Sequence, residues 1–313
     1  MSLSVKVYSE NDFPKYLPKL NSIYDDLFSG GKGFRSKLIQ MIANPLELNS
    51  SQIALLSQTI EFIHNASLLH DDLVDRSHLR RSKPTAWLKY SPEYAVLAGD
   101  YLLARVMVNL SKYGNLKLIQ FTSETISNLL EGEWIQDSLV HDWSVNLPKL
   151  DQVHNLKTAS LFKWCLRAPF LAKEKYSEEV HEILENCGSI LGLLFQRSDD
   201  LIDFNIRNFE GKAALGDLKS GYLNSFGAYL LEQLPQSRLL SFKNSQTLEQ
   251  VYEAVGKGYF DSRLEEFDNR NRELIRLYHH HLTSLVQFLD SGERRLVDDL
   301  GMLPDLLYWR EKR

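Results

Sequence analysis

The chain has 313 residues, of which 43% are hydrophobic and 25% charged, with a formal net charge of −5. This composition suits an ordinary globular core, and the acidic balance argues against a general nucleic-acid or anionic-membrane binder. Two cysteines, Cys165 and Cys187, exclude a disulfide framework and read as inert core thiols. No apolar run approaches the roughly 18 residues of a membrane span. The opening Met1-Ser2-Leu3-Ser4-Val5 lacks the basic and apolar regions of a signal peptide. A soluble, cytoplasmic protein without an integral membrane segment is expected.

Proline placement predicts long helices. No proline lies between Pro92 and Pro148, between Pro169 and Pro235, or between Pro235 and Pro304. Proline is strongly unfavourable inside helices, so these gaps leave room for them. The sequence between is rich in helix formers, and Gly-bounded, β-branched runs are sparse. The expectation is an all-α fold, a single large helical bundle with a central cavity, as one domain over residues 1–313.

Two helices matter most. The first is predicted over 51–76, opening on the capping-type Ser50-Ser51, with Ile53, Leu56, Ile60 and Ile63 at helical spacing. The second is predicted over 178–204, with Val180, Ile183, Leu184, Ile190, Leu191 and Leu194 on the apolar stripe. Each ends in an acidic cluster: Asp71-Asp72-Leu73-Val74-Asp75 and Asp199-Asp200-Leu201-Ile202-Asp203. Helix C-termini carry partial negative charge, so three carboxylates there oppose stability. Such a local conflict marks a functional site.

Residues four apart share a helix face, so Asp71 aligns with Asp75 and Asp199 with Asp203. The first stripe runs back through Ser67 and His64, the second through Gln196, Gly192 and Gly188. Each mid-helix glycine costs about 1 kcal/mol relative to alanine. Either a ligand approaches that face closely or another helix packs tightly on it. One such acidic cluster is more often a solvated face; two copies, each closing an apolar helix, point to chemistry. If they face each other, each like-charge pair at ~6 Å costs about 3 kcal/mol at an effective dielectric of ~20. Cations are then required, and all-oxygen ligands select Mg²⁺. The triple His279-His280-His281 is not a metal site, because consecutive helical residues fan about 100° apart.

Further motifs appear in order. They are Gly30-Gly31-Lys32-Gly33-Phe34-Arg35, Glu61 through Asp72, Arg80-Arg81-Ser82-Lys83-Pro84-Thr85 and Ala98-Gly99-Asp100. Glu131-Gly132-Glu133-Trp134-Ile135-Gln136, Lys157-Thr158-Ala159, Phe195-Gln196-Arg197-Ser198-Asp199-Asp200 and Gly211-Lys212 with Asp217 follow. On these motifs the chain resembles the trans-isoprenyl diphosphate synthases, or polyprenyl synthetases, from about Gly30 to Gly221. The resemblance implies that Lys32, Arg35, His64 and Arg81 bind isopentenyl diphosphate. It implies that Arg80, Lys157, Thr158, Gln196 and Lys212 attend the allylic prenyl diphosphate. Arg forks and Lys point charges suit phosphate oxygens.

Asp71, Asp75, Asp199 and Asp203 would ligate Mg²⁺, about three ions with substrate bound, with Asp72 in the catalytic set. The implied reaction ionises the allylic diphosphate and joins its carbon to the isopentenyl double bond, and a proton then leaves to the released diphosphate. A homodimer is implied by the family alone. Small Ala66 and Ser67, five and four residues before Asp71, imply a product longer than fifteen carbons, geranylgeranyl or beyond. A farnesyl-length synthase and a weakly active regulatory subunit are the alternatives. The sequence departs from the family pattern at Tyr222, where a lysine is usual, with Lys219 nearby; at Ser82 in place of glycine; and at Gly33 and Ser36. A class I terpene cyclase is disfavoured by the second Asp-Asp-x-x-Asp and by the Gly-Gly-Lys segment.

Overall fold

The computed structural model describes residues 13–28, 33–80, 83–208 and 214–310. Lys32, Arg81 and Lys212 lie outside the described residues. The elements in chain order are α1 (Pro18–Phe28), α2 (Phe34–Ala43), α3 (Ser50–Val74), β1 (Leu79–Arg80), β2 (Lys83–Pro84), α4 (Ala86–Lys89), α5 (Pro92–Tyr113) and α6 (Leu116–Ser138). Then come α7 (Leu147–Lys157), α8 (Ala159–Ala172), α9 (Glu178–Asp203), α10 (Gly216–Lys219), α11 (Ser225–Leu231) and α12 (Gln236–Lys243). The chain closes with α13 (Leu248–Val255), α14 (Lys257–Leu285), α15 (Arg295–Gly301) and α16 (Leu303–Trp309). The fold is all-α, as expected. The only strands among the described residues form one antiparallel pair, with Arg80 opposite Lys83. No helix of the described residues is long and apolar enough to cross a membrane.

The proline gaps hold α5 and α6, α9, and the 29-residue α14. One proline breaks the expectation: Pro169 lies inside α8. It sits in the last turn, where Lys173 N–H still closes onto its carbonyl at 3.0 Å. The start of α3 also differs from the expected serine cap. Asn49 is the cap, and it exchanges hydrogen bonds with Gln52 in a capping box, leaving Ser50 and Ser51 as the first helical residues.

The chain divides into two compact units, with boundaries inside α6, α8 and α9. The first comprises the described residues up to Ser127 together with Trp164–His181. Its centre is α3 against α5 and α2, around buried Leu56, Ile60, Phe62, Ile63, Leu102 and Val106. Gly99 lets the two long helices close: an added Cβ would lie 2.3 Å from His70 Nε2. Tyr24 donates to the Ala98 carbonyl at 3.1 Å, and Trp164 Nε1 to Thr122 Oγ1 at 3.0 Å. Cys165 is buried here, and burial holds its thiol far above the usual range.

The second unit comprises Asn128–Lys163 and Glu182–Arg313. Buried rings of Phe204, Phe226, Phe260 and Phe267 form a chain of edge and tilted contacts. A polar spine runs beside them. Buried Arg197 grips Asp151 with two 2.8 Å bonds and donates to Asn271 at 2.7 Å. Asn271 donates to Tyr308 at 2.9 Å, and Tyr308 to Asp268 at 2.6 Å. A buried charge is tolerated only when paired in this way. Gly188 and Gly192 answer the question the sequence left open. A Cβ at Gly192 would stand 2.3 Å from Ala159 Cα, and one at Gly188 2.6 Å from Lys163 Cα. Both glycines therefore serve close packing of α9 on α8.

Candidate active site

In the first unit, α3 carries the first acidic cluster. Asp71 and Asp72 occupy its last turn and Asp75 is its C-cap, with Asp75 N–H bonded to the Asp71 carbonyl at 2.8 Å. The helical register that aligns Asp71 with Asp75 thus holds to the end. Asp72 faces inward and is 4% exposed. Arg80 wraps it: Nε donates to both carboxylate oxygens at 2.8 and 2.9 Å, and Nη2 to Oδ1 at 2.6 Å. The loop that delivers Arg80 is pinned at Ser77, whose carbonyl accepts from Thr85 Oγ1 at 2.7 Å and Trp87 Nε1 at 2.9 Å. Two turns back, Ala66 is fully buried and Ser67 Oγ donates to the His64 carbonyl at 2.9 Å. Arg35 lies in the first turn of α2. That turn is tied to α3 by Ser36 Oγ donating to Glu61 at 2.7 Å, one turn before His64.

In the second unit, α9 carries the second cluster, and its aspartates have three different environments. Asp199 pairs with Arg310, just past α16, whose Nε also donates to Ser198 Oγ at 2.8 Å. Asp200 is buried and accepts from Ser225 N–H at 2.9 Å, from Ser225 Oγ, and from Gln196 Nε2 at 3.0 Å. Burial outweighs these bonds and pushes its carboxyl up to about 6. Asp203 accepts from Gly216 N–H at 2.6 Å through Oδ1, while its Oδ2 is buried with no hydrogen-bond partner among the described residues. Burial, then the charge of Asp217, raises its carboxyl to about 7. Asp217 accepts from Asn224 Nδ2 at 3.0 Å, and the Asn224 oxygen caps α11.

The remaining predicted residues gather on the same unit. Thr158 Oγ1 donates to Gln196 Oε1 at 2.9 Å, so Thr158, Gln196 and Asp200 form one hydrogen-bonded line. Lys157 pairs with Glu133 across the α6–α7 contact, where Gly132 allows the helices to approach. Tyr222 lines a crevice with Asp203, Leu218 and Asn224. Lys219 instead reaches the Ala214 carbonyl at 3.0 Å. Arg310, Ser225 and Asn224 were not foreseen. An Asn-Ser pair before a helix signals a cap, but nothing local tells that Ser225 serves Asp200, and no periodicity reports Arg310.

The donors suit a hard cation. The candidates are all carboxylates, and a buried Asp203 oxygen with no partner among the described residues, next to a second charged group, is stabilised by positive charge. Among the described residues, no three His, Cys, Asp or Glu side chains form a ready-made cage. Mg²⁺ does not require one, since it is usually held by one or two carboxylates, water and substrate phosphate.

Comparison with known proteins identifies the family. Residues 17–256 match the Polyprenyl synthetase family. The chain is similar to a prenyl transferase of Synechocystis, 32% identical over 267 residues, covering 83% of this chain and 82% of that protein. It is also similar to the chloroplastic solanesyl diphosphate synthase 1 of Arabidopsis thaliana, 32% identical over 260 residues, covering 80% of this chain and 64% of that protein. Its fold is similar to a crystal structure of a decaprenyl diphosphate synthase from Rhodobacter capsulatus, with TM-score 0.85, 25% identity and coverage of 97% and 94%. Two Asp-Asp-x-x-Asp helices in an all-α fold, matched over most of the chain, place this protein in the polyprenyl synthetase family of prenyltransferases.

Proposed function

We propose that this chain is a Mg²⁺-dependent synthase that condenses isopentenyl diphosphate with an allylic prenyl diphosphate to give a trans-polyprenyl diphosphate longer than fifteen carbons. The observation that carries the reading is the second cluster, whose buried Asp203 oxygen has no hydrogen-bond partner among the described residues. Asp71 and Asp75 on α3, and Asp199 and Asp203 on α9, are the metal ligands. Bound Mg²⁺ supplies Lewis-acid neutralisation of the departing diphosphate. The chain's own residues bind and orient. Lys32, Arg35, His64 and Arg81 hold isopentenyl diphosphate; Arg80, Lys157 and Lys212 attend the allylic diphosphate. Thr158 and Gln196, fixed by Asp200, direct their dipoles at the developing allylic cation. The allylic C–O bond breaks, the isopentenyl double bond supplies the new C–C bond, and the proton leaves to the released diphosphate.

Small Ala66 and Ser67 support a long product, as do the names of the solanesyl and decaprenyl synthases that the chain resembles. Buried Cys165 and Cys187, both unpaired, suit a reducing cytoplasm. A homodimer is supported by large exposed apolar side chains on two helices: Leu97 on α5, 61% exposed, and Trp134 on α6, 79% exposed.

The deciding experiment incubates the protein with isopentenyl diphosphate, Mg²⁺ and allylic primers of increasing length, and sizes the products. Products beyond fifteen carbons are expected, and S67F should shorten them. The absence of condensation with every primer would overturn the reading in favour of a regulatory subunit, and an unchanged product from S67F would remove Ser67 from length control.

A further inference from the structure

Arg310, the partner of Asp199, lies outside every motif that identified the family and beyond the matched residues 17–256. Arg310 follows α16 in the left-handed region, with φ of 49°, a conformation that is strained for a non-glycine residue. Its backbone is held beside α9 without help from Asp199. Tyr308 is fully buried and bonded to Asp268 and Asn271, and the Trp309 ring packs under the Arg207 guanidinium at 4.3 Å. The strained backbone and the anchored neighbours deliver one guanidinium onto the C-terminal part of α9. There it meets Asp199, Ser198 and the face of Phe195, whose centroid is 5.3 Å away. A cation at a helix C-terminus is favourable, and an arginine stays charged at any working pH.

This pair differs from the core pairs of the same unit. The Arg197 and Arg263 side chains are 6% and 3% exposed, and losing either partner would strand a buried charge. The Arg310 and Asp199 side chains are 20% and 31% exposed. Water and ions reach them, so the carboxylate can exchange partners without opening the core. Phe195 and Ser198 then remain as resting contacts for the guanidinium.

Given the metal role proposed for Asp199, we infer that Arg310 is a surrogate cation: it holds Asp199 in the metal-free enzyme, and Mg²⁺ must displace it to bind. Arg310 thereby keeps the cluster neutralised and raises the Mg²⁺ concentration at which the site fills. It is a positioning residue, not a catalytic one.

The test is a Mg²⁺ titration of the full-length chain, without any diphosphate, read as the rise in melting temperature. R310Q should lower the half-saturating Mg²⁺ concentration by roughly three- to ten-fold, the scale of one partly exposed ion pair. R310K, which keeps the charge but loses the fork, should fall between R310Q and wild type. In a D199N background, R310Q should no longer move the midpoint. An unchanged or higher midpoint in a cooperatively melting R310Q or R310K protein would overturn the inference and leave the proposed synthase intact. If wild type shows neither a Mg²⁺ response nor condensation, the proposed function fails and this inference with it.

Discussion

The two acidic clusters share one sequence pattern and the same position at a helix end, yet the fold treats them differently. In each, the middle aspartate turns inward: Asp72 is 4% and Asp200 2% exposed. Asp72 is neutralised by a cation, the three-bond grip of Arg80. Among the described residues Asp200 has only neutral hydrogen-bond donors, Ser225 and Gln196, and its carboxyl rises to about 6. The difference teaches that the middle position of this motif is an anchor, and that the fold anchors it by whichever route its surroundings offer. The outer positions, four residues apart on one face, are the ones proposed above as metal ligands.

The largest expected effect tests that division. D75A and D203A, one outer carboxylate from each cluster, should each lower kcat/KM by at least about 100-fold while circular dichroism shows a folded protein. Activity surviving in one but not the other would break the equivalence of the outer positions.

The middle positions should separate by stability. R80M leaves Asp72 buried beside a lost cation, and should cost about 2–4 kcal/mol in denaturant unfolding. S225A removes one donor from Asp200 but keeps the backbone N–H, and should cost about 1–2 kcal/mol. Equal losses would erase the contrast between an ion-paired and a hydrogen-bonded anchor.

The smallest effect is a pH slope. In the metal-free protein Asp200 and Asp203 hold protons up to about 6 and about 7, whereas an unfolded aspartate titrates near ~4. Raised folded values stabilise the fold fully below the unfolded value, and that contribution is lost as pH climbs through the folded values. These two groups should therefore pull the metal-free melting temperature down between about pH 4 and pH 7, against the opposite slope of buried His154, whose imidazole is lowered to about 4, and D203N should remove the upper part of that pull. Mg²⁺ binding should strengthen over the same range as the competing protons leave. The readout is the difference between the wild-type and D203N profiles, and identical profiles would show that Asp203 is ionised throughout.

Much of this was legible in the residues themselves. The predicted helix over 178–204 is α9, Glu178–Asp203, and that over 51–76 is α3, Ser50–Val74. Apolar steps of three and four report a helix because its turn is set within four residues. The same local logic aligned Asp71 with Asp75. The cap at Asn49 was missed by one residue, because Asn, Ser and Ser in succession offer three comparable caps and only the Gln52 exchange selects one. Local preference also could not tell that Gly188 and Gly192 serve α8, since packing partners leave no periodic trace.

What the tertiary structure alone decided is the company each aspartate keeps. Asp200 meets Ser225 across 25 positions, and Asp199 meets Arg310 across 111. Such contacts are chosen by the closure of the whole second unit: Tyr308 enters the polar spine of Arg197 and Asn271, and that burial carries Arg310 to the end of α9. The sequence by itself determined the helices, the paired carboxylates and the resemblance to polyprenyl synthetases, because these are written in spacing. Which carboxylate is clamped, which is desolvated and which is held by a displaceable arginine depends on long-range burial, where desolvation and pairing energies are set by neighbours far away in the chain.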